Sequence, residues 1–69
     1  MAGQRITQKS KDKFAKLLRA WRSRLELTQA DAADRLKVPL RTLQGWEIAR
    51  VAPRGYGRTA LEAIFKAKS

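Results

Sequence analysis

The chain has 69 residues, and its 16 Lys and Arg against six Asp and Glu give a formal charge of +10 at neutral pH. One small domain of this size has a marginal core and little room for a deep catalytic pocket, and so basic a chain implies a polyanionic partner, nucleic acid before a membrane surface. With no cysteine and no histidine, disulfides, thiolate sites, the usual acid–base side chain and the commonest metal ligand are absent, so no enzyme, metal site or cofactor is expected.

Residues 1–9 are polar and basic, with Ile6 the one large apolar residue after Met1. They are predicted to form a flexible arm ahead of a domain spanning 10–69. Met1-Ala2-Gly3-Gln4-Arg5 leads into no apolar segment, so no secretory signal is expected, and no apolar run approaches the ~20 residues of a spanning helix. A cytoplasmic, nucleoid-associated location fits. Ser10 is the predicted N-cap of a first helix reaching about Leu25. There Phe14, Leu17, Leu18, Trp21 and Leu25 recur at three- and four-residue spacing and make one apolar face. Lys11, Lys13, Lys16, Arg19, Arg22 and Arg24 lie mostly off it, and some are expected to reach phosphates.

Thr28 opens a second helix. Its hydroxyl can accept from the Asp31 amide while Asp31 reaches back, a short-armed capping box. This helix ends near Lys37. Pro39 disfavours the helical region at Val38 and suits the start of a new helix, which runs through Glu47 and at the furthest to Arg50. Val51 to Gly57, with one proline and two glycines, reads as a loop. A last helix is predicted from Arg58 to Lys66, with Leu61, Ile64 and Phe65 on one side. The prediction is an all-α domain of four helices, with five as the alternative.

Between residues 28 and 47, Ala32, Leu36, Val38, Leu43 and Trp46 fall where a helix-turn-helix must bury its crossing. Leu40, Arg41, Gln44 and Gly45 point outward from its second helix, the one that enters the DNA major groove in such motifs. Arg41, in the first turn, has the fork that pairs with guanine O6 and N7. Gln44, three residues on, either reads adenine or holds Arg41. Leu40 either packs on a thymine methyl or tucks into the core. Gly45 is unfavourable inside a helix; close approach to DNA is one reason for it and simple tolerance the other. Thr42 is expected at phosphate, with packing as the alternative, and not as a base reader. Trp21 and Trp46 lie on apolar faces and are expected in the core rather than stacked on bases.

The segment from Phe14 to Phe65 resembles the Cro/C1-type helix-turn-helix family of phage and bacterial repressors, the lambda-repressor-like domains. Gln29 opening the second helix, small Ala33 within it, Leu43 and the pair Trp46-Glu47 carry the resemblance. It implies an ion pair between Arg22 and Glu47. It also places the loop after the third helix on the DNA backbone near the operator centre, with Arg54 at a narrow minor groove and Arg50 and Arg58 at phosphates. The sequence departs from the family twice. Lys37 holds the turn position usually taken by glycine, so a differently shaped turn is open. Leu40 replaces the glutamine that some repressors pair with the one at Gln29, which leaves Gln29 for a phosphate.

The expectation is therefore a sequence-specific, double-stranded DNA-binding transcriptional repressor, acting on its own operon. As a homodimer it would bind a palindrome, paired through Tyr56, Ile64 and Phe65. Three readings compete: an antitoxin with a toxin protein as partner that also represses its operon; a phage regulator such as an anti-CRISPR-associated repressor; and, from another class, a basic amphipathic protein acting on membranes or RNA. The capping box and the Pro39 break favour a defined fold over the last.

Overall fold

In a computed structural model that describes residues 7–67, Thr7 sits in extended backbone and caps helix α1 (Gln8–Arg24). Its hydroxyl accepts from the Ser10 amide at 3.1 Å. The helix therefore begins ahead of Ser10, and of the expected arm Gln8 and Lys9 are already helical. Residues 1–6 lie outside the described residues. Ser10, expected as the cap, is inside the first turn, where its hydroxyl accepts from Arg58 Nη1 instead.

Helix α2 (Gln29–Leu36) opens at Thr28, whose Oγ1 accepts from the Asp31 amide at 3.0 Å; Asp31 does not close the box by reaching back to the Thr28 amide. Helix α3 (Leu40–Glu47) follows Pro39, which stands in extended backbone at its N-cap. Helix α4 (Gly55–Lys66) starts three residues earlier than its apolar pattern suggested. Gly55 takes φ 68°, a value that a residue without a Cβ adopts at no steric cost. Arg54 caps it from extended backbone. The expected loop is thus shortened, and Tyr56 and Gly57 belong to the first turn of α4. The described residues contain helices and no strand.

Three helices end in the same way, and none uses glycine. After α1, α2 and α3 the chain passes through Glu26 (φ 56°), Lys37 (φ 61°) and Ala49 (φ 61°). Each of these amides bonds back to a carbonyl three residues earlier, Ser23, Asp34 and Trp46 respectively. Each following amide reaches five residues back: Leu27 to Arg22 at 3.0 Å, Val38 to Ala33 at 2.9 Å, Arg50 to Gly45 at 3.0 Å. This double closure satisfies helix-end carbonyls that would otherwise be orphaned. Leu27 and Val38, placed just past two of the closures, pack against the core. Lys37 therefore does not reshape the turn. It adopts the conformation glycine would.

Helix α1 packs on both α3 and α4, and α2 packs on α3. Phe14, fully buried, is the meeting point. Its ring stands edge-on to Trp46 at 5.4 Å between centroids and tilts against Phe65 at 5.5 Å; Phe65 in turn meets Trp21 at 5.2 Å. Such pairs add to the area they bury. Both tryptophans are core, as their spacing implied. Buried Ala32 and Ala33 bring α2 close to the cluster. Phe65 is 2% exposed, so it leaves the expected dimer surface, whereas its neighbour Ile64 stays 44% exposed. One residue is a turn of about 100° on a helix, enough to carry a side chain from core to solvent.

A left-handed conformation costs a non-glycine residue about 1–2 kcal/mol, and glycine's larger unfolded-state entropy offsets part of that. Lys37→Gly should thus raise stability by about 0.5–1 kcal/mol, read as a higher urea midpoint at unchanged slope. Gly55→Ala should move the midpoint the other way. A Lys37→Gly midpoint at or below that of the parent would show that the Lys37 turn carries no such strain.

Candidate nucleic-acid interface

Helix α3 divides sharply between its two sides. Leu43, Trp46 and Glu47 are buried, while Arg41 and Gln44 are exposed and Leu40 is 41% exposed. Thr42 and Gly45 are half-buried at the edges. Pro39 gives α3 no side-chain cap and the first turn holds no acid, so its opening amides keep the positive end of the helix dipole unneutralised.

The buried Glu47 carboxylate anchors this helix. Arg22 grips it with two bonds, Nε to Oε2 at 2.6 Å and Nη2 to Oε1 at 3.1 Å. The third arm of the guanidinium, Nη1, donates to the Leu27 carbonyl at 3.0 Å. The pair implied by the resemblance is therefore present, in the forked geometry that only arginine offers. Two further donors close the end of α3: Arg19 Nη1 donates to the Glu47 carbonyl, and Gln8 Nε2 to the Ala49 carbonyl at 3.0 Å.

Gln29 is held from the same point. Its Nε2 donates to Glu47 Oε1 at 3.0 Å, and its Oε1 accepts from Gln44 Nε2 at 3.3 Å. The side chain expected to lose its partner and turn to phosphate has two partners within the protein. Gln44 is tied to Gln29, not to Arg41.

Gly45 has an internal reason. A Cβ there would lie 3.2 Å from Val51 Cγ2, so the glycine lets the chain after α3 fold back across the helix. Close approach to DNA is not needed to account for it.

The remaining expected residues separate. Arg50 is exposed just past α3, and Arg54 is exposed at the start of α4. Arg58 faces inward. It pairs with Glu62 at 2.7 Å, donates to the Ser10 hydroxyl at 2.6 Å and to the Ser10 carbonyl at 3.0 Å, and lies over the Phe14 ring at 5.3 Å. It pins α4 to α1, which corrects its expected place at phosphate. Tyr56, 95% exposed, and Ile64 remain on the surface of α4.

Sequence reasoning missed two features. Ile48, 69% exposed at the end of α3, adds an apolar group to the side of Leu40 and Gln44, and Val51, beyond the helix, is 48% exposed. Ile48 lies four residues beyond Gln44 and eight beyond Leu40, so helical spacing was the available signal. The other is the use of α1 arginines at helix ends, which composition alone conceals.

Removing one member of a buried ion pair leaves the other uncompensated. Arg22→Ala should cost about 3 kcal/mol, the low end of the usual range because Arg22 keeps contact with water. The double replacement Arg22→Met with Glu47→Leu should cost less than Arg22→Ala alone. Urea unfolding of the two proteins decides it, and equal losses would mean that Glu47 carries no buried-charge penalty. No family model, curated protein or solved structure matches this chain.

Proposed function

We propose that this chain is a sequence-specific, double-stranded DNA-binding regulator in which α2 and α3 act as a helix-turn-helix and α3 enters the major groove. The carrying observation is the outward face of α3. Leu40, Arg41 and Gln44 are exposed there while the opposite side is fixed by Leu43, Trp46 and the Glu47–Arg22 pair. A rigid helix presenting a forked cation and an amide side by side suits base edges. Arg41 reads guanine, Gln44 reads a neighbouring base, and Leu40 and Ile48 offer apolar contact to thymine methyls. Thr42, Arg50 and Arg54 lie at the backbone. Arg58 and Gln29 act indirectly, by holding the frame.

A repressor working as a homodimer on a palindrome is the economical form. Two copies set two recognition helices about 34 Å apart, one turn of the duplex. Val51, Tyr56 and Ile64 are exposed apolar groups available for that pairing. Against a membrane role, apolar residues of all four helices are buried together in one core, the arrangement of a folded domain and not of a helix lying in a bilayer surface. No helix among the described residues is long and apolar enough to cross a membrane.

Selection of bound duplexes from a random pool, followed by affinities on single-base variants of the winner, tests this reading. Arg41→Ala should weaken binding by about 1–3 kcal/mol and relax the preference for G at one position per half-site. Arg54→Ala should weaken all duplexes alike. Log affinity should fall with log salt by about 0.9 per neutralised phosphate. A pool that yields no preferred sequence would overturn sequence-specific binding. Uniform weakening by Arg41→Ala would overturn the placement of α3.

A further inference from the structure

We propose that Lys9, Lys13 and Lys16 of α1 form a second nucleic-acid surface, which holds the backbone of another duplex without regard to sequence, so that the protein joins two stretches of DNA. The first duplex is the one of the DNA-binding reading above, on which this rests; the second lies on a surface that reading does not use.

The three lysines are exposed, and no ion pair among the described residues engages them. At about 100° per residue, Lys13 stands about half a turn round α1 from Arg22, and Lys16 stands nearly opposite Phe14. Arg22 and Phe14 are two of the side chains through which α1 meets α3, at Glu47 and Trp46. The lysines therefore point away from α3, and the core lies between them and the outward face that carries Arg41 and Gln44. A duplex seated on α3 leaves them uncovered. They line one wall of an open groove, with Arg58 and Glu62 of α4 across from them. Glu62 is neutralised by Arg58 at 2.7 Å and approached by Lys66 at 3.9 Å. Asp12, bonded to Gln8 at 3.0 Å, is the other acid of the lining. The groove stays net positive.

The chemistry of this face suits phosphate better than protein. Protein interfaces centre on apolar anchors and are poor in lysine, whereas interfaces with DNA are polar and strongly positive. The large apolar residues exposed among the described residues lie in or after α3 and on α4, and none lies on α1. An ammonium on a flexible stem is a point charge with no fixed plane. It neutralises a phosphate and carries no sequence information. Lys9 and Lys16 are separated by about 10 Å of helix, a length in which one strand of a duplex presents about three phosphates. Arg19, Arg22 and Arg24 of the same helix are bonded within the protein, so the lysines are the charges α1 keeps for a partner.

A capture assay with the full-length protein tests the idea. A duplex carrying the selected sequence is immobilised and saturated with protein, and a labelled duplex lacking that sequence is added. The parent should retain the second duplex whatever its sequence, and log retention should fall with log salt by about 0.9 per neutralised phosphate. The triple variant Lys9→Gln, Lys13→Gln, Lys16→Gln keeps helix preference and should cut retention about tenfold or more. Its affinity for the selected duplex should fall by less than about threefold, since charge on the far side of the core is screened at physiological salt. Lys13→Glu alone should act in the same direction, and it decides the matter if the triple variant unfolds. A parent that retains no second duplex, or a variant that retains it as well as the parent, overturns the second surface and leaves the α3 reading standing. So does a folded variant that also loses the selected duplex, because the lysines would then share the duplex on α3. Displacement by poly-glutamate more readily than by competing duplex would assign the lysines to an acidic protein and overturn the nucleic-acid partner. A pool that yields no preferred sequence overturns the α3 reading alone, and the same comparison then runs with two unselected duplexes.

Discussion

A carboxylate buried at the wrong end of a helix is the constraint around which this small domain is arranged. Glu47 is the last residue of α3, where the helix dipole already presents negative charge, and it has lost nearly all contact with water. Desolvation and dipole oppose it together. A buried carboxylate without partners is costly to the fold. Arg22 compensates with two bonds, Gln29 with a third, and Arg19 draws off the negative charge of the terminal carbonyl. These partners come from α1 and from the start of α2. One acid therefore locks three helices in register. The value of the arrangement lies in geometry more than in stability, since an apolar replacement of a buried pair is often no less stable.

The same logic redistributes the positive charge. On α1 the arginines and the lysines do different things. Arg19 and Arg22 serve the end of α3, and Arg24 donates to the carbonyls of Phe65 and Ala67 at the end of α4, at 3.1 and 3.3 Å. Arg58 fastens the opposite end of α4. A planar fork with several donors can reach two or three acceptors at once, which an ammonium on a flexible stem does less well. Lys9, Lys13 and Lys16 are exposed. The net charge of +10 is thus partly architecture. The fraction free to meet a polyanion is smaller than composition implies.

The legible part of the fold was the part written in local chemistry. Thr28 with Asp31, Pro39 after Val38, and the apolar spacing from Phe14 to Leu25 each fix a conformation within a few residues, and the helices form where they predict, with one of the two capping-box bonds at Thr28 in place. Failures occurred where two local solutions were equally good. Thr7 and Ser10 can both cap α1, and the sequence does not say which carries the turn. Gly55 and Gly57 look like loop, yet one supplies a left-handed φ at the threshold of α4 and the other is carried inside the helix. Phe65 and Ile64 are equally apolar, and only the packing of α4 on α1 decides which is core. In the candidate site, exposure of Arg41 and Gln44 followed from periodicity. The roles of Gln29, Gly45 and Arg58 did not, because each depends on a contact with a residue distant in the chain or across a turn: Glu47, Val51 and Ser10.

Helices α2 and α3 are only eight residues each, too short to persist alone in water. Their order must come from outside, and the structure supplies it at both ends of α3. At the start, Lys37 in the left-handed conformation and Pro39 in extended backbone turn the chain without slack. At the finish, the closure through Ala49 and Arg50 is held by Gln8 and Arg19 from α1. Leu43, Trp46 and Glu47 fix the inner side between them. Arg41 contributes to none of this, and Gln44 touches it only through Gln29. The outward residues of α3 can therefore change while those that hold the helix stay fixed, and on the proposed DNA-binding reading this face is where base preference can be altered at least expense to the fold.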